Sequence, residues 1–394
     1  MDSFYAFFIV IFASLFFSTI LKKVHIPWVV ALIFTGIIIG PSVFDIIEVD
    51  SVLKFLGTLG ITFLMFNAGL EIKHDAFRRA EKKIFLISFI NAVIPFGFGF
   101  WIATLLGYGY FASFLIGIVF ISSSLSAVIP SLEIGGFINN KIGQTIIASN
   151  MIQDIGSLFL MSVLLQNTGA SAHTNIFVLF LILFVVYVAF KTVLPWFLKL
   201  AFAGRDPRKD FYEDEIRLIL FVLVGTVIVF ELVGLHPIIS GFLAGLILSE
   251  SIKSRIIHEK ISALGYGIFI PIFFVTVGIE TNVSVFLNEN SANIWNVLII
   301  IFGSLFSKFT SGYIGARLLR FTKNESMLYA SASIPQLSTT LAVAFTGLSL
   351  GIIDQTMITS LVFLSITSVV LSPILMDFYI SKTKRDLEYT QEVE

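Results

Sequence analysis

Apolar segments long enough to cross a bilayer recur along the whole chain. The first four cover residues 4–21, 27–43, 52–70 and 84–107. A membrane-spanning helix needs roughly 20 predominantly apolar residues, and the charged share of 13% is well below the roughly 25% of a soluble domain. The segments predict an all-α polytopic membrane protein with about thirteen transmembrane helices. The other segments cover residues 111–132, 141–165, 175–200, 214–234, 236–250, 262–280, 293–316, 326–349 and 355–380.

Lys and Arg are concentrated in alternate loops between these segments. The opposite loops, which include 166–174 and 281–292, contain only Lys54. Because cytoplasmic loops collect Lys and Arg, we predict an N-terminus outside the cell and a cytoplasmic C-terminus with a short tail at 381–394. The short loops favour the plasma membrane of a bacterium or an archaeon.

Several classes of function are excluded by residues that the chain lacks. It contains no cysteine, and its five histidines have no metal-ligand spacing, so neither thiolate chemistry nor a bound metal centre is expected. No Walker-type motif is present, which argues against ATP-driven pumping. We therefore expect no cofactor, no nucleic-acid partner and no enzymatic activity.

The two halves of the chain resemble each other at one offset. Gly69 and Gly278 are 209 positions apart, and so are Glu71 and Glu280. The similar units begin seven spans apart. Because seven is an odd number, the two units must lie in opposite orientations in the membrane. We therefore predict two inverted repeats of six helices, residues 4–165 and 214–380, joined by a connector helix at 175–200. Secondary transporters built in this way place the substrate site near the bilayer midplane.

Asp154 lies near the middle of the predicted span 141–165. A carboxylate at that depth costs roughly 2.5–3.5 kcal/mol on insertion scales and usually marks an ion path. Helical spacing places Asn150 and Ser157 on the same face, with Gln153 about a quarter turn away. We predict that this region binds a proton or a small monovalent cation. The alternative is a structural aspartate paired with another helix.

Two further spans, at matching positions of the repeat, combine proline with many hydroxyl groups. Proline removes a backbone donor and frees a carbonyl one turn earlier, and such irregular backbone persists in a membrane only inside protein or beside a wet cavity. We predict a site built from two broken helices, against the alternative of ordinary proline kinks. The predicted ion ligands here are Ser123, Ser124 and Ser126, and the residues predicted to support the unwound helices are Pro130, Pro335, Gln336, Ser338 and Thr339.

Lys308 is the other deeply placed charge, in the predicted span 293–316. We predict that it compensates charge, either at the C-termini of the half-helices or on Asp154 when no ion is bound. The alternative is a side chain that extends to the membrane interface.

Five stretches of the chain carry a resemblance to a known family: PWVVALIFTGIIIGPSVF, FLMFNAGLEI, SSSLSAVIPSL, the pair Gln153-Asp154, and SKFTSGYIGARLL with Lys308. In this order and spacing, they resemble the cation:proton antiporters, in the branch of Kef-type potassium efflux systems and NhaA-fold sodium antiporters. The resemblance implies an NhaA-like fold with crossed, partly unwound helices, an essential ion-binding role for Asp154, a homodimer, and a six-helix core that moves against a helix panel. Two departures are Gln153, in place of a first carboxylate, and Gln336, where many relatives have a charged residue.

These observations predict a secondary active antiporter. We expect Na⁺, K⁺ or both to exchange for protons by alternating access, with cation and proton competing for Asp154. The partners would be these ions, the lipid bilayer and a second copy of the chain. The alternative on the same fold is a sodium-coupled organic-anion symporter, and a channel is disfavoured because a single aspartate makes no charged ring.

Overall fold

The computed structural model describes residues 3–22, 27–70, 82–166, 185, 188, 192, 214–232, 237–249, 255–283 and 291–393, and its regular secondary structure is entirely helical. Apart from three single residues, the predicted connector at 175–200 lies outside these ranges. In chain order the helices are α1 Ser3–Lys22, α2 Trp28–Ile39, α3 Ser51–Leu70, α4 Lys82–Leu105, α5 Tyr110–Ile121, α6 Leu125–Ile134, α7 Lys141–Gln166, α8 Asp214–Leu232, α9 Pro237–Ser249, α10 Arg255–Leu264, a π-helical turn Gly265–Phe269, α11 Ile270–Glu280, α12 Ser291–Leu318, α13 Lys323–Ser333, α14 Ser338–Ser349 and α15 Gln355–Val393.

Within the described ranges, seven helical stretches are long and apolar enough to cross a membrane. Helices α2 and α5 are apolar but shorter. The prediction of an all-α protein with many membrane-spanning helices is therefore confirmed, while the count of thirteen stays a prediction. Helix α15 continues to Val393, so the segment predicted as a tail at 381–394 is largely a continuation of the last helix. The seven stretches are Ser3–Leu21, Ser51–Leu70, Lys82–Leu105, Lys141–Leu164, His258–Glu280, Ile294–Leu318 and Gln355–Lys384.

Two of the predicted spans are each divided into two helices by a short non-helical break. The first break covers residues 122–124, between α5 and α6, and the second covers 334–337, between α13 and α14. Pro335 lies within the second break, but Pro130 lies inside α6, beyond the first. Pro130 would free the carbonyl of Ser126, just after the first break, so its predicted support of that break stays a prediction. A proline at the sixth position of α6 removes one backbone donor without ending the helix.

Residues 1–74 and 165–280 form one compact unit, and residues 75–164 and 281–394 form the other. Each unit therefore combines segments from both halves of the chain. In the second unit, which we call the core unit, α12 packs against α4, α13 and α15.

In the first unit, which we call the panel unit, glycines permit two close helix crossings. A Cβ added to Gly36 of α2 would collide with the backbone at Gly278 of α11, and one added to Gly69 of α3 would collide with the backbone at Gly245 of α9. No side chain fits between the two backbones at either crossing. An offset of 209 positions converts Gly36 into Gly245 and Gly69 into Gly278, so it exchanges one crossing with the other.

Candidate ion-binding site at the crossing of two broken helices

The two breaks of the core unit are hydrogen-bonded to each other. The Ser124 backbone N–H donates to the Pro335 carbonyl over 2.6 Å, and Ser123 Oγ donates to the Ser333 carbonyl over 3.1 Å. Backbone groups that leave a helix must find other partners when buried. Here donors of the first break bind carbonyl groups at the second. These hydrogen bonds fix the point where the two interrupted helices cross.

Gln336, in the second break, links that break to α5 and α12. It is fully buried, and its Nε2 donates to the carbonyl of Phe120 in the last turn of α5 over 3.2 Å. Its Oε1 accepts from Ser304 Oγ over 3.2 Å, and its backbone N–H donates to Ser368 Oγ over 3.0 Å. A neutral amide therefore holds the end of α5.

Asp154 faces the first break from α7. Ser122 Oγ and the Ser123 backbone N–H both donate to its Oδ1, over 3.2 and 3.3 Å. The Thr339 side chain of α14 also interacts with the carboxylate. The side chain of Asp154 is partly exposed, and these partners are neutral. The carboxylate is thus oriented by neutral donors.

Asn150 lies one turn before Asp154 on α7. It is 1% exposed, and its Nδ2 donates to the Ala332 carbonyl over 3.2 Å. Its Oδ1 is buried and has no hydrogen-bond partner. A buried amide oxygen without a donor costs about 1–3 kcal/mol. The same oxygen is a suitable ligand for a hard cation, which removes that cost when it binds.

Lys308 is fully buried on α12 and does not extend to the membrane interface. Its Nζ donates to the Ile121 carbonyl over 2.6 Å, to Ser123 Oγ over 2.8 Å and to Gln153 Oε1 over 2.7 Å. Ile121 is the last residue of α5, so the ammonium compensates the negative end of a half-helix. This contact agrees with the predicted role at the C-terminus of a half-helix, and both predicted roles of Lys308 stay predictions. All three of its acceptors are neutral, and Asp154 interacts with the ammonium through its charge without a hydrogen bond between the two.

Gln153, predicted to bind the ion, turns away from Asp154 and into the core unit. Its Oε1 accepts from Lys308 and from Asn91 Nδ2, the latter over 3.3 Å. Its Nε2 donates to the Oγ and the carbonyl of Ser149, over 3.0 and 3.2 Å. Both ends of the amide are therefore bound by protein groups. Gln153 orients Lys308, and Asn150, one turn before Asp154, carries the side-chain oxygen that no protein group satisfies.

Several polar residues of the site were not predicted from the sequence. Asn91 of α4 donates to Ser333 Oγ over 2.9 Å and accepts from Ser311 Oγ over 2.6 Å. A single amide within the apolar span 84–107 was the available signal. Ser338, predicted to support the unwound helix, is the first residue of α14, and the side chain of Ser126 lies outside the described part of the structure. Among the described residues, no group of three His, Asp or Glu side chains could hold a metal ion.

A sequence model of one protein family matches almost the whole chain. The model is described as sodium/hydrogen exchanger, transmembrane, and it matches residues 7–378.

Two curated proteins are similar to the chain over nearly their full lengths. The probable Na⁺/H⁺ antiporter 3 of Methanocaldococcus jannaschii is 30% identical, with 95% of this chain and 96% of that protein covered. The Na⁺/H⁺ antiporter of Enterococcus hirae is 24% identical, with 95% of this chain and 97% of that protein covered.

A solved structure has the same fold. The sodium proton antiporter MjNhaP1 from Methanocaldococcus jannaschii superposes with a TM-score of 0.72 at 19% sequence identity, over 97% of this chain and 98% of the other.

Proposed function

The chain belongs to the sodium/hydrogen exchanger family, and on this premise we propose that it exchanges a monovalent cation, Na⁺ or K⁺, for protons across the plasma membrane. The observation that carries the proposal is the surroundings of Asp154. Its carboxylate receives weak hydrogen bonds from the first break, and the Asn150 amide oxygen one turn earlier has no partner. A negative charge beside an unsatisfied oxygen suits a cation that has lost its water.

The cation shell is proposed to consist of oxygens only. The Asp154 carboxylate and Asn150 Oδ1 supply the first ligands. Ser124 and Ser126 are proposed as further ligands because they lie in and just after the first break. Oxygen ligands suit Na⁺ and K⁺, and the neutral set leaves the bound pair of cation and Asp154 without net charge.

Exchange follows from the presence of one carboxylate at this place. Asp154 binds either a proton or a cation, because both neutralise the same charge. An empty, ionised Asp154 is costly to carry through the apolar barrier of the membrane. Each loaded form is neutral, so only loaded protein changes the side to which the site opens. The ammonium of Lys308 stays bonded to neutral oxygens throughout.

The moving part is proposed to be the core unit, which contains both breaks, Asp154 and Lys308. Its segments come from both halves of the chain, and the exchange of the two glycine crossings by the 209-residue offset in the panel unit supports the inverted repeat. We also propose that the panel unit forms a homodimer. The proposed topology has thirteen spans in an NhaA-like arrangement, with the N-terminus outside the cell.

Reconstitution into liposomes with an internal pH-sensitive dye and an imposed proton gradient tests the function. Addition of Na⁺ or K⁺ is expected to move protons in the wild type and not in Asp154→Asn. The matched control is Asp377→Asn, which removes an exposed carboxylate of α15 and is expected to leave exchange intact. Wild-type exchange in Asp154→Asn contradicts the proposal. Sodium uptake that needs an organic anion and moves no protons would instead identify a symporter.

A further inference from the structure

Tyr329 is a fully buried phenol that the exchange scheme leaves without a role. It lies on α13, shortly before the second break, and is among the largest side chains with no exposed surface. An aromatic ring of this size could be Phe if packing were its only task. Its hydroxyl must be satisfied by protein groups, because a buried hydroxyl without a partner costs about 1–3 kcal/mol.

The hydroxyl of Tyr329 forms its hydrogen bond with Ser149 of α7 and also interacts with the side chains of Asn91 and Ser333. Tyr329 Oη and Ser149 Oγ form a short hydrogen bond between residues 180 positions apart. Ser149 Oγ also receives hydrogen bonds from Ser88 Oγ over 2.9 Å and from Gln153 Nε2 over 3.0 Å. Tyr329 therefore fixes the position of a hydroxyl that binds the Gln153 amide nitrogen.

The orientation of the Gln153 amide determines what Lys308 meets. With Nε2 held at Ser149, Oε1 points towards Lys308 Nζ at 2.7 Å. A rotated amide would turn its NH₂ group towards the ammonium, and two donors would face each other. Lys308 would then lose one of its three acceptors. Asp154 directly follows Gln153 in the chain, so its carboxylate is the acceptor that could replace the lost one.

We infer that Tyr329 is a positioning residue for cation binding, which acts through Ser149 and Gln153 to hold Lys308 on neutral oxygens and away from Asp154. The carboxylate is thereby kept available to the transported ion. Without the phenolic hydroxyl, Lys308 pairs with Asp154 in the empty protein. A cation must then displace an ammonium before it binds. This inference rests on the proposed function, since it concerns the affinity of the same site.

Cation-dependent proton movement in Tyr329→Phe tests the inference. The KM for the cation is expected to rise about three- to tenfold, the equivalent of one ordinary hydrogen bond, with the maximal rate retained because the loaded site is unchanged. Ser149→Ala is expected to raise the KM in the same way, and it decides the matter if Tyr329→Phe does not fold. The double variant is expected to be no worse than the more affected single variant, because both changes interrupt one path.

The matched control is Tyr313→Phe, the same chemical change at a partly buried tyrosine of α12, with an unchanged KM expected. An unchanged KM in a folded Tyr329→Phe or Ser149→Ala protein overturns the inference, and so does a loss confined to the maximal rate.

A structure of Tyr329→Phe gives a readout that does not depend on transport. An ion pair between Lys308 and Asp154 is expected there, and a Lys308 still bonded to Gln153 Oε1 overturns the inference. A wild-type protein that moves no protons in response to Na⁺ or K⁺ refutes the proposed function instead, so the two failures are distinguishable.

Discussion

Lys308 Nζ donates a hydrogen bond of 2.7 Å to the side-chain oxygen of Gln153, the residue next to Asp154. The lysine therefore lies close to the proposed ion site and acts on its carboxylate through charge alone, without a hydrogen bond to it. Its other two bonds go to the Ile121 carbonyl at the end of α5 and to Ser123 Oγ in the first break. The positive charge holds the crossing together, and the carboxylate of Asp154 is the group proposed for exchange.

Competition for a single carboxylate predicts the pH dependence of exchange. On the acid side, each decrease of one pH unit is expected to raise the apparent KM for the cation by about tenfold, because one proton excludes one cation. Initial rates in proteoliposomes, measured over a series of cation concentrations at each pH, provide the slope. A limiting hundredfold change per pH unit would mean that two protons compete and would refute the single-site scheme.

Removal of the Lys308 ammonium is expected to destabilise the core unit. In Lys308→Ala, the Ile121 carbonyl and Ser123 Oγ lose a charged donor inside the protein, and each unsatisfied group costs about 1–3 kcal/mol. Thermal unfolding in detergent is expected to give a lower Tm than the wild type. Lys141→Ala, which changes an exposed lysine at the start of α7, serves as the control. Equal Tm values for the two variants contradict a structural role for Lys308.

A carboxylate in place of the Gln336 amide is expected to weaken the crossing. Gln336→Glu removes the donor to the Phe120 carbonyl, 3.2 Å away, and brings an acceptor towards another acceptor in a buried position. A loss of about 1–3 kcal/mol is expected, visible as a lower Tm. The control is Gln144→Glu, at an exposed amide of α7. A Gln336→Glu protein as stable as the wild type would show that the crossing does not need this amide.

Alanine substitutions at Gly36 and Gly97 are expected to differ in their effect on stability. A Cβ at Gly36 meets the backbone of α11 at Gly278, 2.8 Å away, whereas a Cβ at Gly97 of α4 has nothing within 4 Å. Gly36→Ala is therefore expected to destabilise the panel unit by a steric clash. Gly97→Ala is expected to be neutral or to stabilise its helix by about 0.5–1 kcal/mol.

Unfolding temperatures of the two purified variants check this prediction. A Tm for Gly36→Ala at or above that of Gly97→Ala contradicts the close crossing of α2 and α11.

The sequence alone predicted the helices, because their cause is local. A segment of about 20 apolar residues must become a helix in a bilayer, where every backbone group needs an internal partner. Two predicted spans agree closely with the helices of the structure. The predicted span 52–70 corresponds to α3 at Ser51–Leu70, and the predicted span 141–165 corresponds to α7 at Lys141–Gln166. Asp154, Asn150 and Lys308 stood out for a related reason, since a polar group at membrane depth is costly wherever its helix packs.

Only the tertiary structure decided how those polar residues are used. Periodicity placed Gln153 about a quarter turn from Asp154 but could not identify the partners of its amide, which are Lys308 of α12 and Ser149 one turn earlier on α7. Proline predicted a break near Pro130, yet the chain leaves the helix at 122–124, because there the freed backbone finds partners at Ser333 and Pro335. Hydrogen bonds such as Lys308 to Gln153 and Ser123 to Ser333 join residues 155 and 210 positions apart. They leave no local pattern in a sequence, so the partners of a buried polar group appear only when the helices are packed.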